Sequence, residues 1–263
     1  MRPPRRPYTL ITNDDGINAE GLWQLAGAAA AAGLDVLVAA PAHEASGSSA
    51  AMSAVGPNGR IAVQRRELPA PAAGIEAYAV SGSPARIVAL AVRGAFGPPP
   101  RLVLSGINHG PNTGRAILHS GTVGAALTAA LHGVPAAAFS QAADYPRHWG
   151  TAAAVAAEVL AALPDLPGTE ILNVNIPDID TERFTGIRTA RLAAFGAIQM
   201  TVAGLDDGFA HVTMVIPDGE PEPGTDVAVL AAGQASVTRL HGIREAPATG
   251  LPWPAATGPA LHR

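Results

Sequence analysis

The feature that most constrains the fold is a regular alternation between short apolar runs and segments with helical spacing. The apolar runs have the length of buried strands and lie at residues 8–12, 36–39, 102–104 and 136–139. The segments with helical spacing lie at residues 19–32, 84–93, 122–132 and 150–163. This order predicts an α/β fold in which a wound, mostly parallel sheet carries helices on both faces, and ligands of such sheets bind beyond the carboxyl ends of the strands.

The pattern changes after residue 177. Residues 187–192, 199–203 and 211–216 have the composition of extended segments, and Asp206-Asp207-Gly208 has the composition of a hairpin turn. We expect a single domain over residues 1–245, with a projecting β-hairpin arm within about residues 185–220. A Pro/Gly-rich C-terminal extension follows at residues 246–263. The arm is either an oligomer contact or an ordinary surface hairpin.

Charge and composition narrow the set of partners. The net charge is −4, from 17 basic and 21 acidic residues, and no basic stripe with interleaved aromatic residues occurs, so we expect no nucleic-acid polymer as a partner. The chain has no cysteine, which excludes disulfides, thiolate nucleophiles and zinc–thiolate sites. No signal peptide and no membrane-spanning stretch are recognisable, so a cytoplasmic protein without membrane attachment is expected.

Two adjacent carboxylates follow the first predicted strand directly. Asp14 and Asp15 stand before Gly16, which permits a tight turn. Adjacent carboxylates repel each other and are stabilised by a cation, and oxygen ligands favour magnesium, manganese or calcium. An Asp-Gly turn with acids that cap the next helix is the alternative reading of the same residues.

Three further polar segments lie where the strand order brings chains to the same edge. Residues 41–49 present hydroxyls after the second strand, although a Ser/Gly linker has the same composition. Residues 105–114 read as a polar, glycine-rich loop after a central strand, in which Asn108 could complete a metal shell. Ser120 and Thr122 stand at a helix start, which would favour a phosphate or serve only as a helix cap.

These segments together resemble the SurE survival-protein family over residues 9 to about 240. The blocks stand in the family's order: TNDDG, SGSS, SGSPA, SGINHGPNTG, SGTVGAA, LNVNIP and TDVAVLAAGQASVTRL. The resemblance implies a Rossmann-like fold and a phosphatase that removes 5′ or 3′ phosphates from nucleoside monophosphates and sometimes trims short polyphosphate. It also implies assembly into a homodimer or homotetramer through the arm and the C-terminal region.

The resemblance implies one divalent cation per subunit, Mg²⁺ or Mn²⁺, with Ca²⁺ as an option in crystals. The implied metal ligands are Asp14, Asp15, Ser46 and Asn108, of which Asp14, Asp15 and Asn108 are also implied to be catalytic. The residues implied to face the phosphate of a small phosphorylated substrate are Gly47, Ser48, Ser105, Gly106, Asn112, Ser120, Gly121 and Thr122. The mechanism consistent with this set is attack by metal-activated water, and an aspartyl-phosphate intermediate is the alternative.

Several residues depart from the family pattern and bear on substrate choice. Arg86 stands where an acid is usual, Thr128 where a glutamate is usual, His119 where a tyrosine is usual, and Glu44 where asparagine is frequent. His109 and His119 flank the phosphate segments, where a catalytic and a bystander role are both open. A nucleotide-dependent oxidoreductase or transferase lacks its G-x-G-x-x-G fingerprint here, and a non-catalytic binding or assembly protein is the remaining alternative.

Overall fold

The fold is known from a computed structural model that describes residues 7–52, 57–163, 167–197, 199–206, 208–215 and 219–245. The strands are β1 Thr9–Thr12, β2 Val36–Pro41, β3 Val63–Arg66, β4 Glu76–Val80, β5 Leu102–His109, β6 Ala136–Gln141, β7 Glu170–Ile176, β8 Ile187–Thr189, β9 Gln199–Asp206, β10 Phe209–Val215 and β11 Ala235–His241. The helices are α1 Glu20–Ala31, α2 Pro84–Val92, α3 Gly121–Leu131, α4 Trp149–Ala162 and α5 Asp226–Ala231. The C-terminal extension at 246–263, Asp207 of the turn and Ile216 lie outside the described residues.

Nine strands form one sheet in the order β3-β4-β2-β1-β5-β6-β7-β11-β8. The six strands from β4 to β7 are parallel to their neighbours, whereas β3 and β11 run antiparallel to β4 and β7. The predicted α/β fold with a mostly parallel sheet is therefore confirmed. The carboxyl ends of β1, β2, β5 and β6 meet at one edge of this sheet, and we refer to it as the carboxyl edge.

Side chains of the central strands alternate between two apolar layers. Leu10 and Leu37 pack on the face that carries α2 and α3, whereas Ile11 and Val38 pack on the face that carries α1 and α4. Successive side chains of a strand point to opposite faces, so a strand buried on both faces is apolar throughout. This is why β1 and β2 could be recognised as short apolar runs.

The structure corrects several sequence expectations. Residues 105–109 are not loop but the second half of β5, because they continue the ladder to β6 with one irregularity between Ser105 and Asn108. The expected segment 187–192 is a strand only over Ile187–Thr189, and it joins the main sheet beside β11. Strands β3, β4, β7 and β11 and helix α5 were not predicted.

A separate hairpin of β9 and β10 forms a two-stranded sheet of its own. The two strands pair antiparallel from Gln199 with Val215 to Asp206 with Phe209, across the position predicted as a turn. Four large apolar side chains of this hairpin are more than half exposed, namely Val202, Leu205, Phe209 and Val212. No helix within the described residues is both long and apolar enough to span a bilayer.

Candidate active site

The turn after β1 fixes the backbone of the two acids. The Asn13 side chain donates from Nδ2 to the Gly16 carbonyl at 3.1 Å and accepts from the Gly16 amide at 3.2 Å. Gly16 has φ of +99°, a conformation that residues with a Cβ rarely adopt. The turn therefore places Asp14 and Asp15 at the carboxyl edge, where Asp14 is almost fully buried and Asp15 is partly buried.

The start of α3 binds Asp14. The Thr122 hydroxyl donates to Asp14 Oδ1 at 2.5 Å, and the backbone amides of Gly121 and Thr122 also interact with this carboxylate. Burial nevertheless raises the pKa of Asp14, and these hydrogen bonds lower it in part. The sequence left this helix start open to a phosphate or to a simple cap. In this structure Ser120 caps α3, and Thr122 and the helix-start amides interact with Asp14 of the turn after β1.

Asp15 is the partly buried acid of the site, and its pKa is strongly raised. Burial, then the Asp14 charge and to a smaller extent the Glu44 charge, raise its pKa to about 7, against a hydrogen bond from the His109 backbone that lowers it. Oxygen Oδ2 of Asp15 is buried and has no hydrogen-bond partner among the described residues. A buried carboxylate oxygen without a donor is costly unless a cation or a ligand meets it.

The loop after β2 packs across the start of α3. The Ala45 amide donates to the Asp14 carbonyl at 2.7 Å, and the Ser46 hydroxyl donates to Glu44 Oε1 at 2.9 Å. Oxygen Oγ of Ser48 is buried without a partner among the described residues. A Cβ built on Gly121 would lie 2.7 Å from this oxygen and from Asp14 Oδ2, so Ser48 and Asp14 face each other across a glycine.

Strand β5 contributes Asn108 from the next position along the edge. Its Nδ2 donates to the carbonyls of His109 at 2.9 Å and Gly110 at 2.8 Å, which leaves Oδ1 as an acceptor or metal ligand. Gly106 lies against β6, because a Cβ there would be 2.2 Å from the Phe139 carbonyl oxygen. Its glycine is required by backbone packing, and the buried Ser105 hydroxyl has no partner among the described residues.

A network of side-chain amides holds Asn112, which the family resemblance places among the phosphate-facing residues. The Asn112 amide donates to Asn175 Oδ1 at 2.8 Å, its Nδ2 donates to Ser140 Oγ at 2.8 Å, and its carbonyl accepts from Asn173 and Asn175. Asn173 and Asn175 received no role from the sequence. Their spacing of two in β7 was the available signal, because it places both amides on one face.

Asp226 is a second buried group that sequence reasoning missed. It is fully buried, and its carboxylate accepts from the amides of Gly114 at 2.7 Å and Ala193 at 2.9 Å. The acid thus ties the end of the loop after β5 to the segment before β9. Its position directly after Thr225, which caps α5, was the only local signal for it.

The departures from the family pattern lie around the site rather than in the ligand set. Thr128 is buried, and its hydroxyl donates to the Gly124 carbonyl at 2.7 Å, so this hydroxyl has its hydrogen-bond partner within α3. His119 is exposed before Ser120, whose hydroxyl accepts from the Val123 amide as the helix cap. Arg86 lies partly buried in the first turn of α2, and the His109 ring lies 6.0 Å from the Trp149 ring.

The donor set fits a hard divalent cation. Within the described ranges no group of three or more His, Asp or Glu side chains has metal-binding geometry, so a cation would rely on two carboxylates and neutral oxygens. Asp14, Asp15, Ser46 and Asn108 would supply that combination of oxygens, and Asp15 Oδ2 is buried without a hydrogen-bond partner among the described residues. Oxygen-only sets of this kind suit Mg²⁺, Mn²⁺ or Ca²⁺.

Comparison with known proteins gives a consistent result. The family model described as "Survival protein SurE" matches residues 9–199. The 5′-nucleotidase SurE of Methylococcus capsulatus is 36% identical over 239 residues, covering 89% of this chain and 91% of that protein. The 5′/3′-nucleotidase SurE of Proteus mirabilis is 37% identical over 244 residues, covering 88% and 89%. The crystal structure of the SurE protein from Aquifex aeolicus matches with a TM-score of 0.72 at 30% identity, covering 89% of this chain and 93% of that one.

Proposed function

This chain belongs to the survival protein SurE family, and from that premise we propose that it is a metal-dependent phosphomonoesterase. Its substrates are nucleoside 5′- or 3′-monophosphates or a related small phosphorylated metabolite. The observation that carries this function is the pair Asp14 and Asp15 at the carboxyl edge, with a buried Asp15 oxygen that lacks a donor among the described residues. The names of the curated relatives favour catalysis over a non-catalytic binding role.

One Mg²⁺ or Mn²⁺ ion per subunit would be held by Asp14, Asp15, Ser46 and Asn108. Such an ion supplies Lewis-acid chemistry, in which it neutralises phosphoryl charge and lowers the pKa of water. The Thr122 hydroxyl and the α3 amides keep Asp14 in one orientation. Glu44 accepts a hydrogen bond from the Ser46 hydroxyl, which leaves the Ser46 lone pairs available to a cation. Second contacts of this kind orient metal ligands.

The remaining donors of the site serve the phosphate. Ser48 Oγ is buried against Gly121 without a partner among the described residues, and we assign it as a donor to a phosphoryl oxygen. Asp15 accepts a hydrogen bond from the backbone of His109 in β5. It is the group that we assign to accept a proton from the attacking water. Direct attack by water is our hypothesis, and a phosphorylated aspartate trapped during turnover would contradict it.

Removal of divalent metal is expected to abolish hydrolysis. With 4-nitrophenyl phosphate and Mg²⁺ or Mn²⁺, chelation should lower the rate by about a hundredfold or more, and readdition of the metal should restore it. The loss follows because two adjacent carboxylates would otherwise repel a dianionic ester. Turnover that is the same with and without chelator would contradict metal dependence, and no turnover with any metal would favour a binding protein.

Metal binding is expected to stabilise the protein more at pH 8 than at pH 6. In the metal-free folded state the pKa of Asp15 is raised to about 7, so between pH 4 and 7 the folded state holds a proton that the unfolded chain has lost. Stability from this group therefore falls as the pH rises through 7. Below pH 7 a cation must displace the proton, which weakens apparent binding about tenfold at pH 6. Melting temperatures with and without MnCl₂ at both pH values measure this, and an equal rise at both would contradict it.

We further propose that the hairpin of β9 and β10 mediates assembly into a homodimer or homotetramer. Its support is the exposed apolar side chains Val202, Leu205, Phe209 and Val212, which a monomer would leave in water. Sedimentation of the full chain and of a Leu205→Asp/Phe209→Asp variant tests this. A lower assembly state in the variant supports the proposal, and an unchanged one overturns it.

A further inference from the structure

A cavity of ≈ 570 Å³ lies beside the candidate active site, at the carboxyl edge beyond β6. We call it the rim cavity. It is bounded by Pro111 after β5, by residues 142–144 after β6, by residues 193–197, by residues 219–222, and by Thr225, Val227, Leu230 and Ala231 at and within α5. Its volume is within the range of small-molecule sites, roughly 300–1,000 Å³. None of the roles assigned above uses it.

The rim cavity shares a loop with the candidate metal site. The His109 backbone interacts with Asp15, and Pro111 stands only two residues further along the chain. Since an extended chain spans at most about 3.6 Å per residue, the cavity wall starts within about 7 Å of that contact. The Gly110 amide fixes the loop by donating to the carbonyls of Gln141 at 2.9 Å and Ala143 at 3.0 Å.

The described lining of the rim cavity is mostly apolar, and its ionisable side chains are all carboxylates. Alanines, Val227 and Leu230 form much of the wall, and Phe195 is a lining residue that is 68% exposed. The ionisable side chains among the described lining residues are Asp144, Glu220 and Glu222. Arg191 lies 2.6 Å from Glu222, and the ionisable side chains of the described lining are all acids. An anionic group in this space would be repelled and an apolar ring would gain contact area.

We propose that the rim cavity binds the alcohol part of the substrate and selects uncharged or cationic apolar groups over groups that carry further phosphates. The inference rests on the proposed phosphomonoesterase function, because it needs a phosphate held at Asp14 and Asp15. It adds that a chain of phosphates is a poor substrate. The ester oxygen bridges the two places, and the cavity contributes binding of the leaving group without entering the chemistry.

A larger side chain at Val227 tests the cavity. In Val227→Phe the ratio of kcat/KM for 1-naphthyl phosphate over that for methyl phosphate should fall at least tenfold, because the ring loses its space and methyl phosphate does not need it. Ala194→Phe, at an exposed position of the lining, is a second variant should the first fold poorly. Val63→Phe on the exposed edge strand β3 is the matched control. An unchanged ratio in both wall variants overturns the proposal.

Two further measurements test the charge preference of the cavity and distinguish a failure of the cavity proposal from a failure of the proposed phosphomonoesterase function. Asp144→Asn/Glu220→Gln should raise kcat/KM for tripolyphosphate relative to 1-naphthyl phosphate about fivefold, whereas Glu158→Gln on the exposed side of α4 should not. An unchanged ratio in the double variant contradicts the charge preference. Binding of free 1-naphthol, followed by its fluorescence, reports on the cavity without turnover, and it should weaken in Val227→Phe. Inactivity towards every ester with intact naphthol binding would refute the proposed function but not the cavity.

Discussion

Asp15→Asn is expected to lower kcat/KM by about a thousandfold or more while raising the melting temperature of the metal-free protein. Activity is lost because an amide contributes no charge to hold the cation. Stability rises because burial and the Asp14 charge make the Asp15 carboxylate unfavourable, with its pKa raised to about 7. At pH 8 the folded state bears this cost in full, and at pH 4 it bears almost none. We expect a gain of about 2–6 °C at pH 8 that disappears towards pH 4.

Asp35→Asn is the matched control, because Asp35 is exposed just before β2 and its side chain is remote from the carboxyl edge. It should change neither activity nor melting temperature appreciably. Calorimetric titration with Mn²⁺ completes the test, since Asp15→Asn should lose the binding that Asp35→Asn retains. An Asp15→Asn protein that is both active and less stable than the parent would contradict the assignment of Asp15.

Gly121→Ala is expected to lower kcat/KM about a hundredfold and the melting temperature by about 3–8 °C. The new Cβ would lie 2.7 Å from both Asp14 Oδ2 and Ser48 Oγ, closer than real Cβ contacts. Because Asp14 is also held by Thr122, it cannot move away without losing that hydrogen bond. The substitution therefore displaces both Asp14, a proposed metal ligand, and Ser48, a proposed hydrogen-bond donor to the phosphate.

Gly150→Ala is the control for this substitution, because Gly150 also stands in the first turn of a helix, α4. The nearest atom to its added Cβ is Thr181 Oγ1 at 3.8 Å, so the alanine fits without a shift. Its melting temperature should change by less than about 2 °C, in the direction of the better helix former. Activity retained in Gly121→Ala at the parent level would show that Asp14 and Ser48 are not needed in their observed places.

The sequence predicted the central sheet because its strands are buried on both faces and so are continuous apolar runs. Strand β3 was missed for the opposite reason, because it is the fully exposed VQRR. Strand β7 is buried, but Asn173 and Asn175 interrupt its apolar residues, so it has no continuous apolar run. The end of β5 was predicted too early, because Ser105, Gly106 and Asn108 have the composition of a loop although the ladder to β6 extends past them.

The fold brings the segments that the sequence singled out to one edge of the sheet, but the sequence could not assign contacts between their atoms. A helix start such as that at Gly121 has the same sequence whether its amides bind a phosphate or a carboxylate. The contact of these amides with Asp14 is visible only in the fold. The influence of Glu44 on the pKa of Asp15 and the long-range contacts of Asp226 depend on tertiary distances. Such couplings join residues far apart in the chain, and no local pattern encodes them.

The central claim is that one cation joins the turn after β1, the loop after β2 and strand β5. Crystals grown with MnCl₂ and measured at the manganese absorption edge test it most directly. We expect a single anomalous peak per subunit, within about 2.6 Å of oxygens of Asp14, Asp15, Ser46 and Asn108. A peak elsewhere on the molecule, with these four side chains in contact only with water, would contradict the claim.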